Sequence, residues 1–432
     1  MSPALAIALT FVAATLLGVP IAIGLGLAAL VGLLSAGLPI EYLAQNAFSA
    51  IDSFTLIAIP MFILAGALME RGRLTHSLIA LSRAFVGNSP GGLATVTVIA
   101  CALFAAITGS GPATTAAIGS IMIPAMMKDG YGRSFSAGLA ASSGGLGVVI
   151  PPSIPMIIYG ITAEASITGL FVAGVVPGLL LALSLYLTSK VICRRRGYGS
   201  QTASDAPEGG IRAAIWEAKW ALLAPVIVLG GIYSGVFTVT EASVACVLYA
   251  VIVGVFINRA LDFPGFLDSL VKTAKIAGTV LIILSTGLVF GRILALHQIP
   301  QEVSGFLTAN VTSPAMLIIL ITLLLVFIGM WMETITQIVI LTPLLLPAAV
   351  AADLHPLQFG VMFVIACEIG FQTPPLGVNL FVAGEIASAK LEEVSKGALP
   401  FVVTQIIVLL LVGFFPAISL WLPSLFGYVN LQ

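Results

Sequence analysis

Two stretches of this chain set hydroxyls and helix-breaking residues inside deeply apolar sequence: Thr108 to Pro124, TGSGPATTAAIGSIMIP, and Met332 to Pro347, METITQIVILTPLLLP. A dehydrated cation needs several oxygens, and an unwound helix frees carbonyls while Ser and Thr add hydroxyls. Each stretch has a companion further on. Thr108, Gly109, Ser110 and Thr114 are expected to face Ser142, Ser143, Gly145 and Gly147, and Glu333, Thr334, Thr336 and Gln337 to face Glu368, Gly370 and Thr373. These residues are the candidate cation ligands. Small residues also serve close helix packing, but packing alone would not require Pro112 and Pro151-Pro152 beside them. Glu333 and Glu368 are costly at membrane depth and are functional candidates for that reason; one of them reads equally as a protonated structural residue. Helix amino ends exposed by the breaks, near Pro112, Ser153 and Asn379, favour an anionic group. The candidates for contact with a solute are therefore Ser110, Pro112, Pro152 and Ser153 in the first half, with Thr336, Gln337, Pro375 and Asn379 in the second. No Lys or Arg falls within residues 109–114, 145–153, 333–337 or 370–379. An anion there would be held by helix ends, hydroxyls and bound cation.

The elements that must position these residues follow from composition. At 432 residues, 59% hydrophobic and 8% charged, the chain cannot present a hydrated surface all round, since soluble domains carry roughly a quarter charged residues. Apolar runs of about 20 residues, the length of a spanning helix, recur throughout, so the fold class is an all-α polytopic membrane protein. The net charge of −1 gives no reason to expect nucleic acid as a partner. Cys101, Cys193, Cys246 and Cys367 lack any CxxC spacing, and His76, His297 and His355 have no second histidine at helical spacing. Neither a disulfide framework nor a zinc site is indicated. Met1 leads into apolar sequence without a basic start, which argues against a cleavable signal peptide.

In chain order, residues 3–37 read as two short spans parted at Gly18-Val19-Pro20, residues 41–52 as a surface helix and Phe54 to Met69 as a third span. Arg71, Arg73, His76 and Arg83, interleaved with Leu74, Leu78, Leu81 and Phe85, describe an amphipathic arm. Residues 90–128 then read as a re-entrant hairpin broken at Thr108 to Pro112, and 134–162 as a helix broken between Ser142 and Ser153. After a span ending at Arg194-Arg195-Arg196, residues 197–212 form a polar cytoplasmic linker. It divides a first half, 1–196, from a second, 213–432. The second half reads as spans at 219–236 and 239–257, the latter opened by a Thr238 to Glu241 capping box, then a surface helix at 261–277 and a span at 278–294. An outer arm at 298–310, a hairpin at about 314–350 and a broken helix at about 357–388 follow.

Pro124, Pro151, Pro152 and Pro177 recur at Pro347, Pro374, Pro375 and Pro400, each 223 positions later. An odd number of crossings separates equivalent points, so the plan is two inverted-topology repeats, the architecture of secondary transporters. About ten crossings plus two hairpins are expected, with both termini on the outer face.

Five runs then carry a family resemblance: GSGPATTAAIGSIMIPAMMKDGY from Gly109, GGLGVVIPPSIPMIIYG, LFVAGVVPGLL, GVFTVTEASVACVLYA and QTPPLGVNLFVAGE. In number, order and spacing they resemble the large membrane subunit of tripartite ATP-independent periplasmic (TRAP) transporters of the dicarboxylate and sialic-acid type. That resemblance implies a sodium-driven importer of carboxylate-bearing organic acids in a bacterial inner membrane, Na+ being the coupling ion and no organic cofactor being needed. It implies as partners a small four-helix membrane subunit and a periplasmic substrate-binding protein, and a transport domain that moves within a scaffold, as in an elevator. Ala366 and Cys367 stand before Glu368 where relatives are expected to carry a more polar pair. A one-component sodium-dicarboxylate symporter would share the hairpins and the repeat without needing a partner. An intramembrane enzyme is disfavoured, because no HExxH or GxSxG word occurs and no histidine adjoins the two carboxylates.

Topology makes the first test. Single cysteines placed at Gly199 and Asn310 should label from opposite faces, Gly199 only from the cytoplasm and Asn310 only from outside; labelling of both from outside would overturn the inverted plan.

Overall fold

The protein is described by a computed structural model covering residues 2–87, 89–199, 210–311 and 313–429. Of the expected linker, residues 200–209 lie outside the described residues. The chain is helical, with no strand among the described residues.

The chain opens with α1 (Pro3–Leu16) and α2 (Ile21–Ser35), which pack on each other. Pro20 in extended conformation starts α2, so the break expected at Gly18 to Pro20 is present. At 14 and 15 residues each rises only about 21 to 23 Å. Next come α3 (Glu41–Ile51), a 3₁₀ turn (Phe54–Ile57) running into α4 (Ala58–Arg71), and the amphipathic arm α5 (Leu74–Val86). Leu74, Leu78 and Leu81 of the arm are buried, whereas Phe85 is exposed.

Helices α6 (Gly92–Thr108) and α7 (Gly111–Lys128) pack together and meet at a two-residue tip. Helix α8 (Arg133–Gly144), the single turn α9 (Leu146–Val149) and α10 (Ile154–Thr162) follow, with a 44° bend at the break before α10. The long α11 (Ile167–Arg196) closes the first half. The same order returns later in α16 (Pro314–Gly329) and α17 (Thr334–Ala351), then α18 (Pro356–Phe371) and α19 (Val378–Ala387) across a break, then the long α20 (Leu391–Phe414). Between these sets lie α12 (Gly210–Tyr233), α13 (Val239–Ile252) with a terminal π-helical turn, α14 (Phe263–Leu296) and α15 (Ile299–Asn310); α21 (Ala417–Leu425) ends the described chain. The capping box forms at α13. Glu241 N–H donates to the Thr238 hydroxyl at 3.2 Å and Thr238 N–H donates to the Glu241 carboxylate at 2.8 Å.

One expectation is corrected. The separate surface helix at 261–277 and span at 278–294 are a single helix, α14, of 34 residues. A lone Gly278 costs a helix about 1 kcal/mol, and packing of α14 against α2, α3, α4 and α17 outweighs that. No proline stands there to enforce a break.

Seven helices among the described residues are long and apolar enough to cross a bilayer, or eight when the bent α8–α10 is counted as one. Ten crossings are reached only by adding α1, α2 and the interrupted α18–α19, and by setting aside α17 as a hairpin arm.

The two halves are fastened to each other, not laid side by side. Helix α8 crosses α20 where Gly138 meets Gly397, so closely that a Cβ on Gly138 would overlap the Gly397 carbonyl carbon. Close by, the Ser134 hydroxyl donates to Glu393 O at 2.6 Å. Helix α19 packs in turn on α7 and α8. With no hydrophobic drive between helices in lipid, such backbone approach is a main source of association.

The substitution Gly397→Val should therefore lower thermal stability in detergent by about 1–3 kcal/mol through overpacking. Gly230→Ala, where an added Cβ has open space, should leave it unchanged; equal behaviour of the two would refute the role of the crossing.

Candidate functional site

The site begins with two peptide tips that need partners for their backbone groups. At the first, Gly109 has φ 61°, a left-handed conformation suited to glycine, and its carbonyl accepts from Ile154 N–H at 3.4 Å. At the second, the Met330 carbonyl accepts from Leu376 N–H at 3.1 Å. Each hairpin tip is thus bonded to the break of its own half's interrupted helix.

Around the first tip the Thr114 hydroxyl donates to Ser110 O at 2.8 Å and lies 2.9 Å from the Thr108 hydroxyl. Gly147 of α9 packs on that same pair of groups, Ser110 O and Thr114 Oγ1. Ser142 and Ser143 end α8, fully buried, and Gln405 of α20 donates to Ser142 O at 3.3 Å. Around the second tip Glu333 caps α17, accepting from Thr336 N–H at 3.3 Å. Gln337 donates through Nε2 to Leu325 O at 2.6 Å, joining the two arms. A Cβ on Gly329 would lie 3.1 Å from both Gln337 Oε1 and Gly370 Cα, so hairpin and broken helix touch there.

Glu368 joins the two clusters. It is 3% exposed, and its Oε1 accepts from Asn379 Nδ2 at 2.7 Å and from Gln372 Nε2 at 3.1 Å. Against that oxygen lie two glycines of the first half. A Cβ on Gly111 would come within 3.1 Å of it and one on Gly145 within 2.8 Å. The start of α7 and the α8–α9 joint therefore wall in a carboxylate that belongs to α18.

Oxygens without partners concentrate here. Ser142 Oγ, Ser143 Oγ, Thr334 Oγ1, Thr336 Oγ1, Gln337 Oε1, Glu368 Oε2, Gln372 Oε1, Asn379 Oδ1 and Gln405 Oε1 are all buried without a hydrogen-bond partner. Proteins seldom leave such groups orphaned. Hydroxyl and amide oxygens with one carboxylate are the donors a hard cation takes, whereas a transition metal prefers imidazole or thiolate. No group of three or more His, Cys, Asp or Glu that could hold a metal ion occurs among the described residues. The donor set fits a hard cation.

A cavity of about 840 Å³ adjoins these groups. Thr108, Gly109, Ser110 and Pro112 line it from the first tip, and Glu333, Thr334 and Thr336 from the second, with Glu368 between. Ser142, Ser143, Gly145, Gln337, Gly370 and Asn379 are not on its wall but are packed behind it. The remaining candidates are placed elsewhere. Ser153 caps α10, its hydroxyl accepting from Met156 N–H at 3.2 Å and donating to Val148 O. Pro152 follows Pro151 through a cis bond and turns its carbonyl onto Gly109. Thr373 returns its hydroxyl to Ile369 O at 2.7 Å, and Pro375, the second residue of the cis pair Pro374-Pro375, is exposed.

Sequence reasoning missed Gly111, Gln372, Gln405, Lys272 and Lys275. Gln405 had a signal, a lone amide in the apolar run from Pro400 to Phe414, and Gln372 stands one turn after Glu368. The lysines fall in the stretch, 261–277, expected as a separate surface helix. With α14 continuous, Lys272, Lys275, Thr279 and Ile283 share one stripe on the cavity wall.

Interrupted helices meeting around a buried polar centre beside a cavity define a polytopic membrane protein of transporter type. The family described as "Tripartite ATP-independent periplasmic transporter, DctM component" matches residues 8–418; the chain belongs to that family. Over 405 residues it is 46% identical to the isethionate TRAP transporter permease protein DctMQ of Oleidesulfovibrio alaskensis, covering 94% of this chain and 64% of that relative. It is 38% identical to the C4-dicarboxylate TRAP transporter large permease protein DctM of Pseudomonas aeruginosa, over 90% of each. Among solved structures, the YdaH transporter of Alcanivorax borkumensis shares the fold, with a TM-score of 0.67, 14% identity, and coverage of 88% of this chain and 89% of that one. These relatives are transporter permeases, and the chain is a permease subunit, not an enzyme.

The bonds to Glu368 yield a stability test. Asn379→Ala and Gln372→Ala should each cost about 1–3 kcal/mol, since each removes a donor from a buried oxygen. The double variant should depart from additivity, because both act on one atom; simple additivity in thermal unfolding would separate the two residues.

Proposed function

We propose that this chain is the transport subunit of a sodium-coupled importer of carboxylate-bearing organic acids, acting with a small four-helix membrane subunit and a periplasmic binding protein in a bacterial inner membrane. One observation carries the reading: buried, partnerless oxygens occur on the second hairpin and both broken helices, among them those of Gln372 and Asn379, which bond Glu368, next to a cavity large enough for a small solute. Sodium held by some of these oxygens would fix the unwound backbone and offset the charge of the solute. Solute and ion would then tighten each other's binding by the same factor.

Orientation follows from charge. The arm at 71–88 and Arg194 to Arg196 carry the clustered basic residues and are cytoplasmic under the positive-inside rule; the second half is inserted upside down relative to the first. Helices α4 and α14, clasped by Arg71–Asp268 at 3.0 Å and Glu70–Lys272 at 3.5 Å, belong to the stationary scaffold. The two hairpins and broken helices form the moving body. This chain spans 64% of its Oleidesulfovibrio relative.

Reconstitution with the cognate partners tests the proposal, with C4-dicarboxylates, isethionate and sialic acid as solutes. Uptake should need a sodium gradient. Ser110→Ala and Thr114→Ala should weaken sodium activation, by about 1–3 kcal/mol where an unpaired polar group is left behind. Transport of a neutral or cationic solute as well as any carboxylate, or anion uptake persisting without sodium, would overturn the mechanism.

A further inference from the structure

Two cations stand where the sequence placed none. Lys272 and Lys275 of α14 line the same cavity that is floored by the hairpin tips and Glu368. The stripe they begin continues through Thr279 to Ile283, a rise of about 16 Å at 1.5 Å per residue. The cavity wall includes both exposed and buried groups. The Lys272 and Glu70 side chains are 59% and 38% exposed and Lys275 is exposed, whereas Glu368 is 3% exposed. The lysines therefore stand at the open rim and the oxygen nest at the floor.

Their charges are unequally balanced. Lys272 is paired with Glu70 at 3.5 Å. Lys275 has no ion-pair partner among the described residues, and the first-tip wall below it, Thr108 to Pro112, is uncharged. Among the described residues that line the cavity, the carboxylates besides Glu70 are Glu333 and Glu368, which belong to the floor. Taken together, the mouth of the cavity carries one uncompensated positive charge. An uncompensated positive charge beside low-dielectric walls attracts an anion to that point of the cleft.

We propose that Lys275, with Lys272 as its support, forms an anion-holding station at the mouth of the cavity, where the acidic group of the solute rests after leaving the oxygen nest or before reaching it. The assignment rests on the organic-anion reading above. On the orientation given there, the end of α4 that carries Glu70 and Arg71 is cytoplasmic, so the station serves the cytoplasmic side. It lies on the scaffold and not on the moving body, so the solute passes from one to the other. Glu70 keeps Lys272 from binding the anion outright. Lys275 is consequently the residue that sets affinity at this face. An anionic lipid headgroup offers the same chemistry to both lysines, and the test separates the two sources.

The experiment uses the complete transporter with its partners in liposomes, oriented uniformly, and follows a labelled dicarboxylate in exchange so that the cytoplasmic-side KM is read. Lys275→Gln should raise that KM by roughly threefold to tenfold, the low end of what charge steering gives, and should flatten its dependence on ionic strength. Lys275→Arg should restore both, and Lys272→Gln should have the smaller effect. The KM for uptake from the opposite face should stay within about twofold, a selectivity that general damage to the fold would not produce. If wild-type exchange is present and the cytoplasmic-side KM and salt dependence of Lys275→Gln match wild type, the station is refuted while the anion reading stands. If the effect appears in liposomes containing phosphatidylglycerol but vanishes in phosphatidylcholine alone, the lysines hold headgroups and the proposal falls. If wild type exchanges neutral solutes as well as dicarboxylates, both readings fall together.

Discussion

A peptide group in hydrocarbon must find its hydrogen-bond partner inside the protein, and the centre of this molecule is arranged around that requirement. The hairpin tips and the helix breaks are each unacceptable alone. Bonded as pairs, Gly109 to Ile154 and Met330 to Leu376, they satisfy part of each other's need and keep irregular backbone inside the protein. Many of the buried oxygens still without partners lie on these same elements, and that is where the cation and the solute are proposed to bind. Binding chemistry here is what is left over when the backbone has been satisfied as far as protein groups can reach.

The same constraint explains why the halves cannot act separately. Glu368 is supplied by the second half, yet Gly111 and Gly145 of the first define the space its carboxylate occupies. Gln405 of α20 reaches Ser142 O, and the Gly138–Gly397 crossing brings α8 and α20 to backbone contact. Motion that carried one half's core without the other's would have to break these contacts, among them the hydrogen bond from Gln405 to the buried Ser142 carbonyl. On the scheme proposed above, a body of both hairpins, both broken helices and α20 moving as a unit against α4 and α14 would keep all of them.

Much of this was legible in the sequence, for identifiable reasons. Breaks at Thr108 to Pro112 and Pro151-Pro152 stand out because proline, glycine and hydroxyls are conspicuous against apolar neighbours, and the 223-residue recurrence marks their equivalents. The capping box at Thr238 to Glu241 is purely local and forms as its spacing predicts. What was not legible is what depends on contact between distant segments. Nothing near Glu368 in sequence announces Gly111 or Gly145, because a glycine chosen for close approach looks like any other. Ser153 and Thr373 read as free hydroxyls, but an N-cap and a helix end had local uses for them. The continuity of α14 was not legible either, because Gly278 reads as a break in sequence and only the packing of distant helices on both sides of it keeps the helix whole.

That unbroken α14 has a further consequence. At 34 residues it is about 51 Å long, against a hydrocarbon core of about 30 Å, and exposed Phe263, Leu267 and Val271 extend its apolar surface toward the end that carries the lysines. A rod so much longer than the layer it crosses must lean or project, and the balance between the two shifts with bilayer thickness. Because one stripe of that rod is also a wall of the cavity, membrane thickness becomes a mechanical input to the shape of the passage, independent of any ligand.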